Sequence, residues 1–235
     1  MKYIISIWEW VVGVGLFIIF ILWFAIVASI WPYEKYIVWT RSFLQFFFKA
    51  LFIKVEVEGA ENIDPEQTYL FMPNHVSMFD IPLVLGYIPV EFYGIQAASH
   101  FKMPLYGWVL KKYGNIPIDR SSPRASFRTM MDVVEVLKKG TNILVLPEGT
   151  RTTTPQMAPF KKLPFLMAKK SEVNIMPMAF VGLWEINNKT SLLVRPGKMK
   201  VVFGKPIPSS TVKELSEVEL RNLTRQKIQE LLDAK

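Results

Sequence analysis

The chain has 235 residues, 51% of them hydrophobic and 20% charged, enough to bury a core and too apolar for a disordered segment. Twenty-eight Lys and Arg against twenty Asp and Glu leave +8 at neutral pH, which favours an anionic partner: a membrane surface, a phosphorylated ligand or nucleic acid. There is no cysteine, which excludes disulfides, thiolate metal sites and thiol nucleophiles.

From Trp10 to Trp31 there are 22 residues without a formal charge, long enough at roughly 1.5 Å per residue to cross a hydrocarbon layer of about 30 Å. This predicts a membrane-anchoring helix; a buried core helix and a cleaved signal peptide fit its length and flanks less well. Gly13, Gly15 and the Trp31-Pro32 break leave two forms open, a full span and a helix that enters one leaflet and turns back. The next stretch, Tyr36 to Ile53, sets Arg41, Gln45 and Lys49 on one stripe with Trp39, Phe43, Phe46, Phe47 and Leu51 around the rest. That is an amphipathic helix, suited to the headgroup region or to packing on a core. Lys35, Arg41, Lys49 and Lys54 follow the apolar run and Lys2 precedes it, so the following domain is expected on the cytoplasmic side. Residues 1–53 are read as the anchor and 54–235 as the globular domain. The basic balance lies in the latter, since 25 bases and 18 acids, +7, remain from residue 49 onward.

Beyond the anchor, short apolar runs alternate with helical patterns. Ile53-Val55-Val57 alternates as a half-buried strand does, and Tyr69 to Met72, Ile143 to Leu146 and Ile175 to Val181 are apolar runs. Helices are predicted near Ile81 to Tyr87, Pro104 to Tyr113, Ser122 to Lys139 and Phe160 to Lys170. The alternation predicts an α/β domain with a mixed, mainly parallel central sheet flanked by helices. Leu192 to Val194 and Met199 to Phe203 flank Pro196-Gly197 as an expected hairpin. A C-terminal helix follows, with Thr211 to Glu214 or Ser216 to Glu219 as its capping box.

Two segments carry chemistry. His75 lies in Pro73-Asn74-His75-Val76-Ser77-Met78-Phe79-Asp80, directly after an apolar strand and before a helix, at the edge where open α/β sheets place their sites. A carboxylate five residues on can hold one ring nitrogen protonated, leaving the other to accept a proton. The alternative makes Asp80 a helix N-cap ahead of Ile81-Pro82 and His75 an ordinary loop residue. Ser77 is a candidate cap and not a nucleophile, since no serine elbow surrounds it. The second segment is Leu146-Pro147-Glu148-Gly149-Thr150-Arg151, again after a buried strand. Its glycine turn lets backbone N–H groups approach an anion and Arg151 offers a forked donor matched to phosphate; a Glu148–Arg151 ion pair on a plain turn is the alternative. Asp119-Arg120 adds another basic point.

Taken in order, these segments resemble the glycerolipid acyltransferase family, and within it the lysophosphatidate acyltransferases, over roughly residues 55 to 205. Asn74, His75 and Asp80 match the Asn-His-x4-Asp block. Phe101 to Arg120, with Pro104, Gly107, Trp108, Gly114, Ile118, Asp119 and Arg120, resembles the second block; Glu148, Gly149, Thr150 and Arg151 form the third, and Ile175-Met176-Pro177-Met178 the closing proline block. The resemblance implies a 1-acyl-sn-glycerol-3-phosphate O-acyltransferase that moves an acyl chain from acyl carrier protein or coenzyme A to the sn-2 hydroxyl, giving phosphatidate in the cell (inner) membrane. It implies His75 as general base, Asp80 as its orienter and Asn74 as support. Arg120, Glu148, Gly149, Thr150 and Arg151 are implied as the phosphate and acceptor site; independently of the resemblance, Gly149 is a candidate oxyanion contributor. No metal, redox cofactor or nucleic acid is implied, and the partners are the bilayer, its lipid and the thioester donor. Another lysolipid acceptor is the first alternative; a non-catalytic adaptor binding anionic lipid or nucleic acid is the second. Two departures bear on acceptor and donor preference: Ala97-Ala98-Ser99-His100 where many relatives carry Lys, and Leu163-Pro164 where a glycine is common.

Overall fold

In a computed structural model, which describes residues 2–119 and 122–234, two long helices precede an α/β domain. The chain runs α1 (Lys2–Ile30), α2 (Tyr33–Ala50), β1 (Ile53–Glu58), β2 (Tyr69–Pro73), α3 (Asp80–Tyr87), β3 (Phe92–Ala97), α4 (Tyr106–Lys112), β4 (Ile116–Ile118), α5 (Pro123–Lys138) and β5 (Asn142–Leu144). It continues through α6 (Leu163–Ser171), β6 (Asn174–Val181), α7 (Leu183–Ile186), β7 (Gly197–Phe203), α8 (Ser209–Glu214) and α9 (Glu217–Asp233). The sheet order is β1-β7-β6-β2-β5-β3-β4. Strands β6, β2, β5, β3 and β4 are mutually parallel, while β1 and β7 pair in parallel with each other and β7 runs antiparallel to β6.

Local chemistry sets the boundaries. Pro32 lacks the N–H that would continue α1, and its carbonyl accepts from Lys35 N–H at 3.1 Å to start α2. Ser122 caps α5 by accepting from Ala125 N–H, with Pro123 in the first turn. Ser216 and Glu219 form the capping box of α9, whereas Thr211 lies inside α8.

Alternation along β2 divides the core. Phe71 turns to the face covered by α2 and α3, where Phe47, Phe48, Leu51, Phe79 and Leu83 are buried with it. Leu70 and Met72 turn to the opposite face, against Met130, Val133 and Val134 of α5, Phe165 of α6 and Ile228 of α9. Each such side chain contributes about 1.5–3 kcal/mol on burial. Helix α1 packs through Phe20, Ile21 and Phe24 on Tyr36, Ile37 and Leu44 of α2 and on Val109 and Tyr113. Its remaining surface, including Ile4, Ile7, Val11, Ile18, Leu22 and Ile26, is exposed and apolar, and α1 is long and apolar enough to cross a membrane.

The expected hairpin around Pro196-Gly197 is not formed. Residues 188–196 run irregularly because α1 takes their backbone groups: Val194 N–H donates to Ser6 Oγ at 2.9 Å and Trp10 Nε1 donates to Leu192 O at 2.6 Å. Strand β7 pairs instead with β1 and β6. Strands β3 and β4 add two pairings that weak local patterns concealed, Phe92–Ala97 containing Gly94 and Gln96 and Ile116–Ile118 containing a proline.

Candidate active site

Because β6, β2, β5 and β3 run the same way, the segments leaving their C-terminal ends meet at one edge, as expected for an open α/β sheet. His75 leaves β2 there, and Asp80 opens α3 immediately after. The ring Nδ1 of His75 lies 2.5 Å from Asp80 Oδ2, and the carboxyl also accepts backbone N–H bonds from Val76 at 3.0 Å and from Ser77 at 3.1 and 3.2 Å. Asp80 therefore orders the whole loop and orients the ring. Its side chain is 1% exposed while that of His75 is 18% exposed, so the acid is sealed and the imidazole reaches an opening. Burial pushes the Asp80 carboxyl above its usual range; the hydrogen bond and charge of His75 and the Val76 and Ser77 N–H groups oppose this. An ionised carboxylate only accepts, so it fixes the ring proton on Nδ1 and leaves the Nε2 lone pair for an incoming proton.

The turn at Glu148 is stitched to this loop from both sides. Glu148 Oε1 accepts from His75 N–H and Oε2 from Ala158 N–H, each at 2.7 Å, and Thr152 N–H donates to His75 O at 2.8 Å. The carboxyl of Glu148 is thus given to backbone donors and not to an ion pair with Arg151. Burial raises its pKa against the pull of those N–H groups and of the His75 charge, with Asp80 acting in the same direction as burial. Gly149 sits at φ +73° and its N–H donates to Leu146 O at 2.9 Å, a turn that a side chain would strain. That N–H is engaged within the turn, so the exposed part of the third segment is Thr150 with the half-buried Arg151. Asn74 Oδ1 accepts from Phe180 N–H at 2.8 Å and ties the loop to β6.

Of the residues singled out in the sequence, Asn74, His75, Asp80, Glu148, Gly149, Thr150 and Arg151 converge at this edge; Arg120 lies outside the described residues. Others carry no local signal. Ser77 Oγ donates to Asn187 Oδ1 at 2.7 Å, from a position 110 residues away, and Lys189 Nζ donates to Thr150 Oγ1 at 3.3 Å. Arg225 of α9 donates to Ala158 O and Met157 O, both at 2.7 Å, bracing the segment that holds Glu148.

His75 and Arg151 share the wall of a cavity of about 490 Å³, otherwise mostly apolar, bounded by Phe17, Phe20 and Phe24 of α1, Phe43 and Phe47 of α2 and Val109 of α4. That is within the usual size of small-ligand sites. A proton acceptor and a guanidinium in the wall of a largely apolar cavity suit a molecule with a hydroxyl, an anionic group and a hydrocarbon chain. Among the described residues no group of three or more His, Asp or Glu side chains is placed to hold a metal ion.

The chain is 32% identical over 184 residues to the chloroplastic 1-acyl-sn-glycerol-3-phosphate acyltransferase LPAT1 of Arabidopsis thaliana, covering 77% of this chain and 50% of the plant protein. It is 31% identical over 175 residues to a 1-acyl-sn-glycerol-3-phosphate acyltransferase of Borreliella burgdorferi, covering 73% of this chain and 68% of that protein. The chain spans about half the length of the first curated relatives it matches. Its fold superposes on the crystal structure of the 1-acyl-sn-glycerophosphate acyltransferase PlsC of Thermotoga maritima with a TM-score of 0.86 at 24% identity, covering 100% of this chain and 99% of the other. The family described as Acyltransferase matches residues 54–181, more than half of the sequence, and the chain belongs to that family.

Proposed function

We propose that this chain is a membrane-associated 1-acyl-sn-glycerol-3-phosphate O-acyltransferase. The observation that carries the reading is the His75 ring, held at Nδ1 by Asp80 at 2.5 Å and lining an apolar cavity together with Arg151. His75 Nε2 takes the proton of the sn-2 hydroxyl as that oxygen bonds to the carbonyl carbon of an acyl thioester. The tetrahedral intermediate collapses by breaking the carbon–sulfur bond, and the departing thiolate receives the proton from His75. Arg151, joined by Arg120, grips the acceptor phosphate, turning remote binding energy into alignment of the hydroxyl. The apolar cavity receives hydrocarbon, each buried methylene contributing about 0.8 kcal/mol. The donor is an acyl thioester of coenzyme A or acyl carrier protein.

Helix α1, its exposed apolar flank and the basic residues that follow support an anchor in residues 1–53 and a domain 54–235 on the cytoplasmic face. A substrate that stays in the bilayer requires a site held at headgroup height.

The test is an assay of the purified full chain in lipid with lysophosphatidate and either thioester, resolved by product mass. Phosphatidate is expected, with His75→Ala slower by about 10²- to 10⁴-fold at intact folding. Arg151→Ala is expected to raise KM for lysophosphatidate and to spare a lysolipid without a phosphate monoester. A folded His75→Ala protein at wild-type rate would remove the base assignment, and equal use of acceptors lacking the phosphate would remove the acceptor.

A further inference from the structure

The segment between β3 and α5 leaves large hydrophobic side chains only partly covered. Met103 is 51% exposed, Leu105 40% and Trp108 40%. Their display is built into the backbone. Tyr106 N–H donates to Pro104 O at 2.6 Å across Leu105, which holds φ +58° and ψ −53°. That is a γ-turn of the positive-φ kind, strained for a branched side chain and rare outside functional segments. Gly107 locks the turn, since a Cβ there would lie 2.3 Å from Phe101 O. A fold that holds Leu105 outward in a costly conformation argues against accidental exposure.

What lies beside the segment identifies the occupant. Helix α4 packs by its inner side on α1, Tyr106 against Phe17 with ring centres 6.4 Å apart, and the following Tyr113 packs against Phe24 at 6.3 Å. Phe17 and Phe24 both lie within the uncharged run Trp10 to Trp31. Helix α4 is therefore held against α1, and a bilayer that receives α1 at Phe17 reaches α4 as well. Lys102, Lys111 and Lys112 are exposed around the apolar trio, the arrangement of an interfacial element whose ammonium groups meet lipid phosphates while their stems lie along hydrocarbon.

We propose that the segment Lys102–Lys112 is a third bilayer-inserting element, seating Met103, Leu105 and Trp108 at the headgroup–acyl boundary of an anionic phospholipid membrane. It rests on the reading of α1 as a membrane element. The inner side of the same helix, through Tyr106, Val109 and Leu110, walls the cavity that holds His75. Seating the outer side in lipid sets the cavity against the bilayer, so that a lipid chain enters it without crossing water.

The absence of cysteine from the chain allows a clean test. Single substitutions Leu105→Cys and Trp108→Cys in the full chain each carry one nitroxide label, with Ile18→Cys on exposed α1 and Val218→Cys on exposed α9 as references. The proteins are reconstituted into phosphatidylcholine–phosphatidylglycerol vesicles, and label accessibility to lipid-soluble oxygen and to an aqueous nickel chelate is compared. Labels at 105 and 108 are expected to show an oxygen-to-nickel ratio several-fold above that at 218 and close to that at 18. A ratio at 105 and 108 equal to that at 218, with position 18 embedded, would overturn this inference alone. Shielding from both reagents would also overturn it, by pointing to a second copy of the chain as the occupant. A wet label at position 18 would instead overturn the membrane reading of α1 on which it rests.

Discussion

Replacing Asp80 by Asn tests the site most directly, because it changes charge and hydrogen-bonding type with almost no change in shape. In the native chain one carboxyl accepts from the His75 ring, from Val76 N–H and from Ser77 N–H. An amide retains a single accepting oxygen. If that oxygen serves Ser77, the new NH2 group faces His75 Nδ1 and Val76 N–H; the clash with the ring is relieved only when the ring moves its proton to Nε2, and Val76 N–H stays unmatched. The proton then occupies the nitrogen that should receive the acceptor hydroxyl's proton. If the oxygen stays with His75, the NH2 group confronts the Ser77 N–H, and a buried donor is left unmatched at a cost of about 1–3 kcal/mol. Loss of the general base contributes about 10²- to 10⁴-fold, a barrier increase of about 2.7–5.5 kcal/mol at 1.36 kcal/mol per decade. Wrong-tautomer substitutions in serine triads reach the upper end, about 10⁴. The assay is kcat and KM for lysophosphatidate at saturating thioester, with a thermal melt to establish folding. The fall is expected in kcat with KM little changed, since Asp80 is buried and meets no substrate. A folded Asp80→Asn chain within tenfold of wild-type kcat would refute the reasoning.

Three further outcomes are expected. Val109→Phe, which places a ring into the wall of the cavity, should shift use toward lysophosphatidates of shorter chain in a mixed-acceptor competition read by product mass, with discrimination of about fourfold per methylene excluded, from about 0.8 kcal/mol each; an unchanged length profile would detach the cavity from binding of the lysolipid chain. Burial holds Asp80 and Glu148 above the usual carboxylate range, so the folded chain keeps protons that the unfolded chain has released. Their contribution to stability is present below the ordinary carboxylate values and is lost as pH rises through the folded ones. Glu148→Gln should flatten that fall in thermal melts taken across the window, while losing about 1–3 kcal/mol through one unmatched backbone N–H; an unaltered pH profile would contradict the assignment. Ser216→Ala should lower stability by about 0.5–2 kcal/mol through loss of the α9 cap, read from the melting temperature with catalysis unaffected.

What the amino-acid sequence by itself determined is local. The uncharged run before Pro32, the apolar runs of β2 and β6, the helix beginning at Ser122 and, as one of two candidates, the box at Ser216 were legible because period, length and capping act over a few residues. The pairing of His75 with Asp80 was legible for the same reason, since five residues separate them and the start of a helix brings them together. The turn at Glu148–Arg151 was legible in composition, but its inner logic was not. That Glu148 holds the His75 backbone 73 residues away, and that Gly149 gives its N–H to Leu146, depends on which buried donors find which acceptors once β2 and β5 lie side by side. The tertiary structure alone decided that residues 188–196 serve α1 and form no hairpin, that Asn187 meets Ser77, and that side chains from Phe17 to Arg151 enclose one cavity with His75 in its wall. Such contacts leave no period in the chain, because packing of whole elements brings the partners together and each buried polar group then bonds to whatever that packing supplies.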